Sequence, residues 1–274
     1  MQDKLSFYTP PFTNVTSYFE MVDLAHKYGI KNLETLNILD FSEPDLELAR
    51  KLREYADSKG VKFCCVSVGI DLVGDDGEKN IEKVKKFVDI AVILGSPYIH
   101  HTVVFEFENP DNVVKCEELY FNRGVSAVRE IYDYAKSRGI RSMCEEQGFI
   151  INGKERFLKF LDAVERDIGV VADVGNIMFV DEKADTFFPL VKDRILHAHV
   201  KDFKIVSDGP YKTRGGNHLA DCSLGQGDAD VKSALKYLKN IGYDGFISLE
   251  CMLVDESDEK TLLDNINYVK ECMD

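Results

Sequence analysis

One unit recurs along this chain: an amphipathic, helix-like stretch, a glycine, then a short run rich in β-branched residues. It occurs around Gly29 (HKYG-IKNLE), Gly60 (DSKG-VKFCCVSV), Gly95 (VILG-SPYIHHTVV) and Gly139 (KSRG-IRSMCEE). It continues around Gly169 (ERDIG-VVADV) and Gly242 (KNIG-YDGFISLE). A glycine just past a helix end adopts the left-handed conformation that stops the helix at little steric cost. A strand beginning directly afterwards, and a helix after that, builds βαβ units and hence a parallel sheet. The pattern places strands near 5–8, 31–35, 62–68, 97–103, 140–146, 169–173, 195–201 and 245–250. It places helices near 14–28, 44–59, 78–94, 115–138, 154–166, 183–192, 230–240 and 258–272. Strict alternation of eight and eight predicts an α/β fold, a single (β/α)8 TIM barrel spanning 1–274 as one domain. The competitor is an open, doubly wound sheet, but no G-x-G-x-x-G follows the first strand. Ser42, with Pro44 behind it, is the expected N-cap of the second helix. The longest irregular stretch, from Phe203 to Gly227, is expected to be a functional loop.

Bulk properties narrow the function. The 274 residues are 45% hydrophobic, enough for a large core, and the net charge is −14. Nucleic-acid binding needs clustered Lys and Arg, so no nucleic-acid partner is expected, nor an anionic membrane surface. Seven cysteines, Cys64, Cys65, Cys116, Cys144, Cys222, Cys251 and Cys272, are scattered without a C-x-x-C pair. That usage fits a reduced compartment, with Cys64, Cys144 and Cys251 as small core fillers. The opening MQDKLSFYTP has no apolar signal region, and apolar runs such as Ile90–Leu94 are too short to span a bilayer. A cytoplasmic protein is expected.

Chemistry concentrates at the predicted strand ends, where a barrel of this kind carries its active site. The strand Ile195–Asp202 puts His197, His199 and Lys201 on one face, because strand side chains alternate. Three titratable groups on one face are costly to bury unless an ion or an anionic ligand compensates them. The other strands end in Glu34, in His100 and His101, in Glu145-Glu146-Gln147, in Asp173 with Asn176 beyond it, and in Glu250. Face parity selects Glu145, Asp173, His199 and Glu250 as three carboxylates and one imidazole around a common point. Such a set suits one divalent metal ion: Mn2+, Zn2+, Mg2+ or Co2+. Each acid taken alone reads better as a solvated loop end or a helix cap, and it is the four together that point to an ion. His197 lies one pleat deeper than His199 and suits a supporting role. Gly225-x-Gly227 reads either as a phosphate cradle or as a tight turn into the next helix.

Five phrases together resemble a known family: Glu145-Glu146-Gln147-Gly148, Asp173-x-Gly175-Asn176, His197-x-His199-x-Lys201-Asp202, Leu224-Gly225-Gln226-Gly227-Asp228-x-Asp230, and the run from Gly242 to Glu250. The chain is similar to the xylose isomerase-like TIM barrels, in the sugar-phosphate isomerase/epimerase branch. The resemblance implies a metal held by Glu145, Asp173, His199 and Glu250. Resemblance to ketohexose 3-epimerases implies that Glu145 and Glu250 double as the catalytic acid and base. Those epimerases carry His where Asn176 stands, and an Arg near the position of Lys201. Endonuclease IV shares the superfamily, but the histidines of its multi-zinc cluster have no counterpart here.

The expected activity is therefore a divalent-metal-dependent isomerase or epimerase acting on a small sugar, sugar phosphate or related polyol through an enediolate. Glu34, His100, His101, Asn176 and Lys201 are the candidates to contact substrate. Since His100 and His101 lie on opposite faces, one of them points inward. An inosose dehydratase-like lyase would use the same groups to expel water. A non-catalytic sugar-binding barrel has no evident need of two metal-facing glutamates. The family resemblance is compatible with a homo-oligomer.

Overall fold

Hydrogen bonding joins the strands into a ring. The computed structural model describes residues 2–104, 117–250 and 258–273. The strands are β1 (Leu5–Phe7), β2 (Asn32–Thr35), β3 (Lys62–Val68), β4 (Tyr98–His101), β5 (Arg141–Glu145), β6 (Gly169–Asp173), β7 (Ile195–Val200) and β11 (Phe246–Leu249). All pair in parallel, and β11 closes the barrel between β7 and β1. Between them run α1 (Tyr18–Lys27), α2 (Leu46–Lys59), α3 (Gly77–Leu94), α4 (Glu117–Ser137), α5 (Lys154–Val164), α6 (Ala184–Val191) and α7 (Val231–Asn240), with α8 (Glu259–Met273) after β11. The fold is the expected eight-stranded parallel barrel ringed by helices. Cys116 and Cys251 lie outside the described residues.

The helix stops follow the glycine rule at Gly60 and Gly95, which cap α2 and α3 at φ of 72° and 70°. Gly169 departs from it. It is a strand residue of β6, and the left-handed residue that ends α5 is Glu165, at φ 51°. Glycine is needed at 169 for space, since a Cβ there would meet the Leu196 side chain and stand 3.0 Å from Met143 Cγ. The cap of α2 also differs. Asp45, not Ser42, accepts from the backbone of Glu47 and Leu48, while Ser42 closes a short 3-10 turn. The carboxylate one residue beyond Pro44 reaches the free N–H groups, whereas Ser42 stands too far back.

The stretch from Phe203 to Gly227 is not irregular throughout. It holds an antiparallel sheet of β8 (Asp202–Val206), β9 (Tyr211–Lys212) and β10 (His218–Cys222), in the order β8-β10-β9. Phe203 and Tyr211 pack their rings against Phe179 at 5.4 and 5.7 Å, which ties this sheet to the segment after β6.

Two apolar layers differ in size. The main core fills the space between barrel and helices, with Phe157, Phe160, Phe187 and Leu52 fully buried there. Inside the barrel a small cluster of Cys64, Cys65, Met143 and Val171 forms the floor. Above that floor the interior is polar: Ser6, Glu34, Ser67, His100, His197 and Ser248 are all at most 1% exposed. A barrel of this class normally fills its interior with branched aliphatics. Burying this many polar groups is tolerable only when they satisfy one another.

Candidate active site

The register of the last strands assembles the site. Asp173 of β6 lies opposite His199 of β7, and His199 lies opposite Ser248 of β11, one pleat below Glu250. Glu145 ends β5 beside them. The parity argument thus places the four side chains on the inner face, and their potential ligand atoms all lie within 4.8 Å of one another. His199 Nδ1 stands 2.8 Å from Glu145 Oε1, 3.5 Å from Glu250 Oε2 and 3.9 Å from Asp173 Oδ2. Asp173 divides its labour. Its Oδ1 accepts from the backbone of Gly175 and Asn176 at 2.7 Å, so the turn after β6 fixes the carboxylate and leaves Oδ2 aimed at the cluster. Neither Asp173 Oδ2 nor Glu250 Oε2 accepts a hydrogen bond, although both are buried.

Lys201 is the local cation. It is 9% exposed, and its Nζ lies 2.9 Å from Glu250 Oε1 and 3.2 Å from Asp173 Oδ2. Its stem crosses Gly175, where a Cβ would come within 2.6 Å of Lys201 Cγ. Burial disfavours the ammonium, but Asp173 and Glu250 outweigh burial and raise its pKa above the ordinary lysine value. Burial likewise lifts the Asp173 carboxyl, with Glu250 and Glu145 adding to the rise against Lys201. At Glu250 burial is overcome by Lys201 and His199, which hold its carboxyl below the usual range. Neighbouring Glu146 is fully buried, and desolvation, then Asp173 and Glu145, push it well above a normal glutamate. Its Oε1 accepts from the Asp173 backbone at 2.9 Å and so ties the end of β5 to β6.

A second carboxylate layer lies beneath. Glu34 is fully buried and faces the other side of the His199 ring, with Nε2 3.1 Å from both its oxygens. His197 Nε2 donates to it at 2.8 Å, Ser248 Oγ at 2.6 Å, and the Ser67 hydroxyl also bonds to it. Burial would protonate Glu34, but His199 and His197 outweigh it and keep the carboxyl well below its ordinary pKa. Burial also disfavours a charged His199, yet Glu34 and Glu145 on its two nitrogens raise it well above 6.5.

The candidate substrate contacts divide accordingly. His100 points inward, bonded at Nδ1 to Ser67 Oγ (3.0 Å), with Nε2 3.8 Å from Glu145 Oε2. Asn176 is buried at the rim, and its Nδ2 has no hydrogen-bond partner among the described residues. Placement of Glu34 and His101 does not fit contact with substrate. Glu34 sits a layer too deep, behind His199. His101 points out of the barrel, bonded to Ser142 Oγ and the Thr102 carbonyl at 3.2 Å each. Gly225 and Gly227 form no free cradle, because their N–H groups bond the Asp202 carboxylate at 2.9 and 3.0 Å. The sequence reading passed over Tyr8. It lies one residue past β1 and stacks on His199 at 4.4 Å and 25°. An aromatic at the end of the first strand, one of two strand ends left without a candidate, was the available signal.

The site fits a divalent ion. Three carboxylates and one imidazole are the donor set such ions take, and the buried Glu250 Oε2 in that set accepts no hydrogen bond. The sequence model of the xylose isomerase-like TIM barrel family matches residues 22–272. The chain belongs to that family. Solved structures of similar shape share little sequence with it. A xylose isomerase-like TIM barrel protein from Mycobacterium smegmatis, in complex with magnesium, superposes with a TM-score of 0.72 at 16% identity, covering 93% of this chain and 88% of that one. D-psicose 3-epimerase from Clostridium cellulolyticum H10, with D-tagatose, gives 0.75 at 16% identity, covering 98% of each chain. A protein named as a probable 3-DHS dehydratase, from Bacillus anthracis, gives 0.74 at 18% identity, covering 97% of this chain and 98% of that one. At such identities the likeness shows the fold. The chain matches none of the curated proteins. Among the described residues no helix is long and apolar enough to cross a membrane.

Proposed function

We propose that this protein is a divalent-metal-dependent isomerase or epimerase of a small, uncharged sugar or related polyol. The observation that carries the reading is the convergence of Glu145, Asp173, His199 and Glu250, with Glu250 Oε2 buried without a hydrogen bond and Asp173 Oδ2 buried with only the Lys201 ammonium at 3.2 Å. These four residues would hold the ion. When bound, it would supply Lewis-acid polarisation of a carbonyl and a neighbouring hydroxyl. The chain's own groups do the proton work. The Glu250 carboxylate, steadied at Oε1 by Lys201, removes a proton from the carbon next to the carbonyl. The electron pair moves onto the carbonyl oxygen, giving an enediolate. A protonated Glu145, which faces the same His199 nitrogen as Glu250, delivers its proton to the opposite face of the same carbon while Glu250 keeps the one it took, which is epimerisation. Return to the neighbouring carbon is isomerisation. His100 Nε2 and Asn176 Nδ2 have spare hydrogen-bonding capacity for substrate hydroxyls. An uncharged substrate is favoured because both anion-binding candidates are already engaged. Lys201 serves Asp173 and Glu250, and the Gly225 and Gly227 amides serve Asp202.

The test is metal analysis followed by proton exchange. Wild type should carry about one divalent ion per chain and Glu250→Gln less. Loaded wild type should wash deuterium from D2O into a free ketose. A product lighter by one water would move the assignment to a dehydratase, as for the similar Bacillus anthracis protein. Wild type that takes up no ion after dialysis against Mn2+ or Zn2+ would sink the proposal.

A further inference from the structure

We propose that Glu34 is the positioning residue of this centre: by accepting the Nε2 hydrogen of His199 from beneath, it commits the Nδ1 lone pair of that ring to the ion. The inference rests on the reading of the quartet above as a metal site. Three observations on Glu34 support it. Its depth comes first. It is fully buried, and the His199 ring stands between it and the point where Glu145, Asp173 and Glu250 converge. Glu34 therefore reaches the ion position through His199.

The second observation is saturation. An ionised carboxylate only accepts hydrogen bonds, so a ring nitrogen facing it must carry a hydrogen. Glu34 faces Nε2 of His199 at 3.1 Å and Nε2 of His197 at 2.8 Å, and it takes the Ser248 and Ser67 hydroxyls besides. Four donors on two oxygens fill its lone-pair positions. The same saturation argues against reading Glu34, His197 and His199 as an ion site of their own, because hydrogens already occupy the space between them. Glu145 faces Nδ1 at 2.8 Å, so by the same rule the ion-free ring carries a hydrogen there too. A bound ion takes the place of that Nδ1 hydrogen, on the nitrogen that faces Glu145, Glu250 and Asp173. A neutral imidazole carries one hydrogen, and the one that remains is the one Glu34 holds at Nε2.

The third observation is backbone register. Between β2 and β3 the pairing steps at Leu33 and Glu34, so Leu33 lies opposite Phe63 but Glu34 opposite Cys65. One extra residue on β3 locally bends the strand pair, a device that re-aims a side chain beside a site. Here the side chain at the step is Glu34.

The experiment compares Mn2+ binding to stripped wild type and to Glu34→Gln by calorimetric titration. Glutamine keeps the shape but turns one acceptor into a donor facing the two Nε2 hydrogens. The dissociation constant should rise about 10- to 100-fold, as removal of a ligand's orienting partner does elsewhere. A companion measurement needs no variant: nitrogen-15 histidine spectra of Zn2+-loaded wild type should show a hydrogen on His199 Nε2 and metal-shifted Nδ1. Equal affinity in wild type and Glu34→Gln overturns the role of Glu34 and leaves the metal site standing. Zinc on Nε2, or a hydrogen on Nδ1, overturns it too. Wild type that binds neither ion removes both readings together. Should Glu34→Gln fail to fold, the zinc spectrum of wild type decides.

Discussion

Replacing Gly175 with alanine tests how the polar rim is packed. Gly175 has φ −94° and ψ −33°, a conformation open to any L-residue, so the backbone raises no objection. On entropy alone Gly→Ala would stabilise by about 0.4–1 kcal/mol, through the unfolded chain. The surroundings oppose it. A Cβ at 175 would sit 2.6 Å from Lys201 Cγ and 2.9 and 3.1 Å from two carbons of the Phe203 ring. Carbon pairs prefer about 3.5–4.0 Å, so neighbours must retreat by up to roughly 1 Å. Phe203 is held by Phe179 and Tyr211, and Lys201 by two carboxylates, so neither moves freely. Overpacking of this kind costs about 1–3 kcal/mol, which leaves a net loss of roughly 1–2 kcal/mol. At about 2–4 °C per kcal/mol the melting temperature should fall by roughly 2–8 °C. Urea unfolding in EDTA measures the loss without a contribution from bound ion. In a Lys201→Ala background the same change should cost about 1 kcal/mol less, since part of the clash has gone. A Gly175→Ala protein more stable than wild type, by the same margin with or without Lys201, would refute the packing argument.

Acid should weaken the fold through His101. Burial, then neighbouring His100, lower its pKa from 6.5 to about 4, so the unfolded chain binds a proton in that window that the native one does not. Stability is therefore full above pH 6.5 and falls as pH drops toward 4, by about 2 kcal/mol between pH 7 and 5. His101→Gln should flatten that slope in paired urea titrations, and an unchanged slope would clear His101. Asp202→Ala strips the Gly225, Gly227 and Ala229 amides of their acceptor and should cost about 3 kcal/mol in the same assay. Inorganic phosphate should not raise the melting temperature of wild type, and a phosphate-dependent rise would show that the glycine loop does bind anions. A divalent ion at 100 times its dissociation constant should stabilise stripped protein by about 2.7 kcal/mol. Thermal scans with and without Mn2+ check it, and His199→Ala should abolish the gain.

Much of this architecture can be read from periodicity, because a helix, a stop and a buried strand each leave a local mark. The inner-face set of Glu145, Asp173, His199 and Glu250 follows from parity alone once the strands are placed. What escapes is non-local. The step in register beside Cys64 leaves no mark in the pattern, so Glu34 reads as a rim residue when it lies a layer below. Tyr8 reaches His199 only because the barrel closes and carries β1 past β11 to within reach of β7. The strands of β8 to β10 are short, and Lys204, Lys212 and Asp221 interrupt their alternation, so they resemble loop. Asp45 takes the cap from Ser42 because reach to the free amides decides capping, and residue preference alone does not show reach.

Barrel closure has a consequence for how the protein is made. Glu250 follows β11, the last barrel strand in chain order, and β11 must slot between β7 and β1. A chain growing on the ribosome thus exposes Glu145, Asp173 and His199 well before their partner exists. Until β11 arrives, the ring is open at the seam beside His199, and Ser248 is missing from the cluster beneath. The four converging groups come together only after the final strand leaves the exit tunnel. Completion of the site is in this way a report that synthesis and closure are both finished.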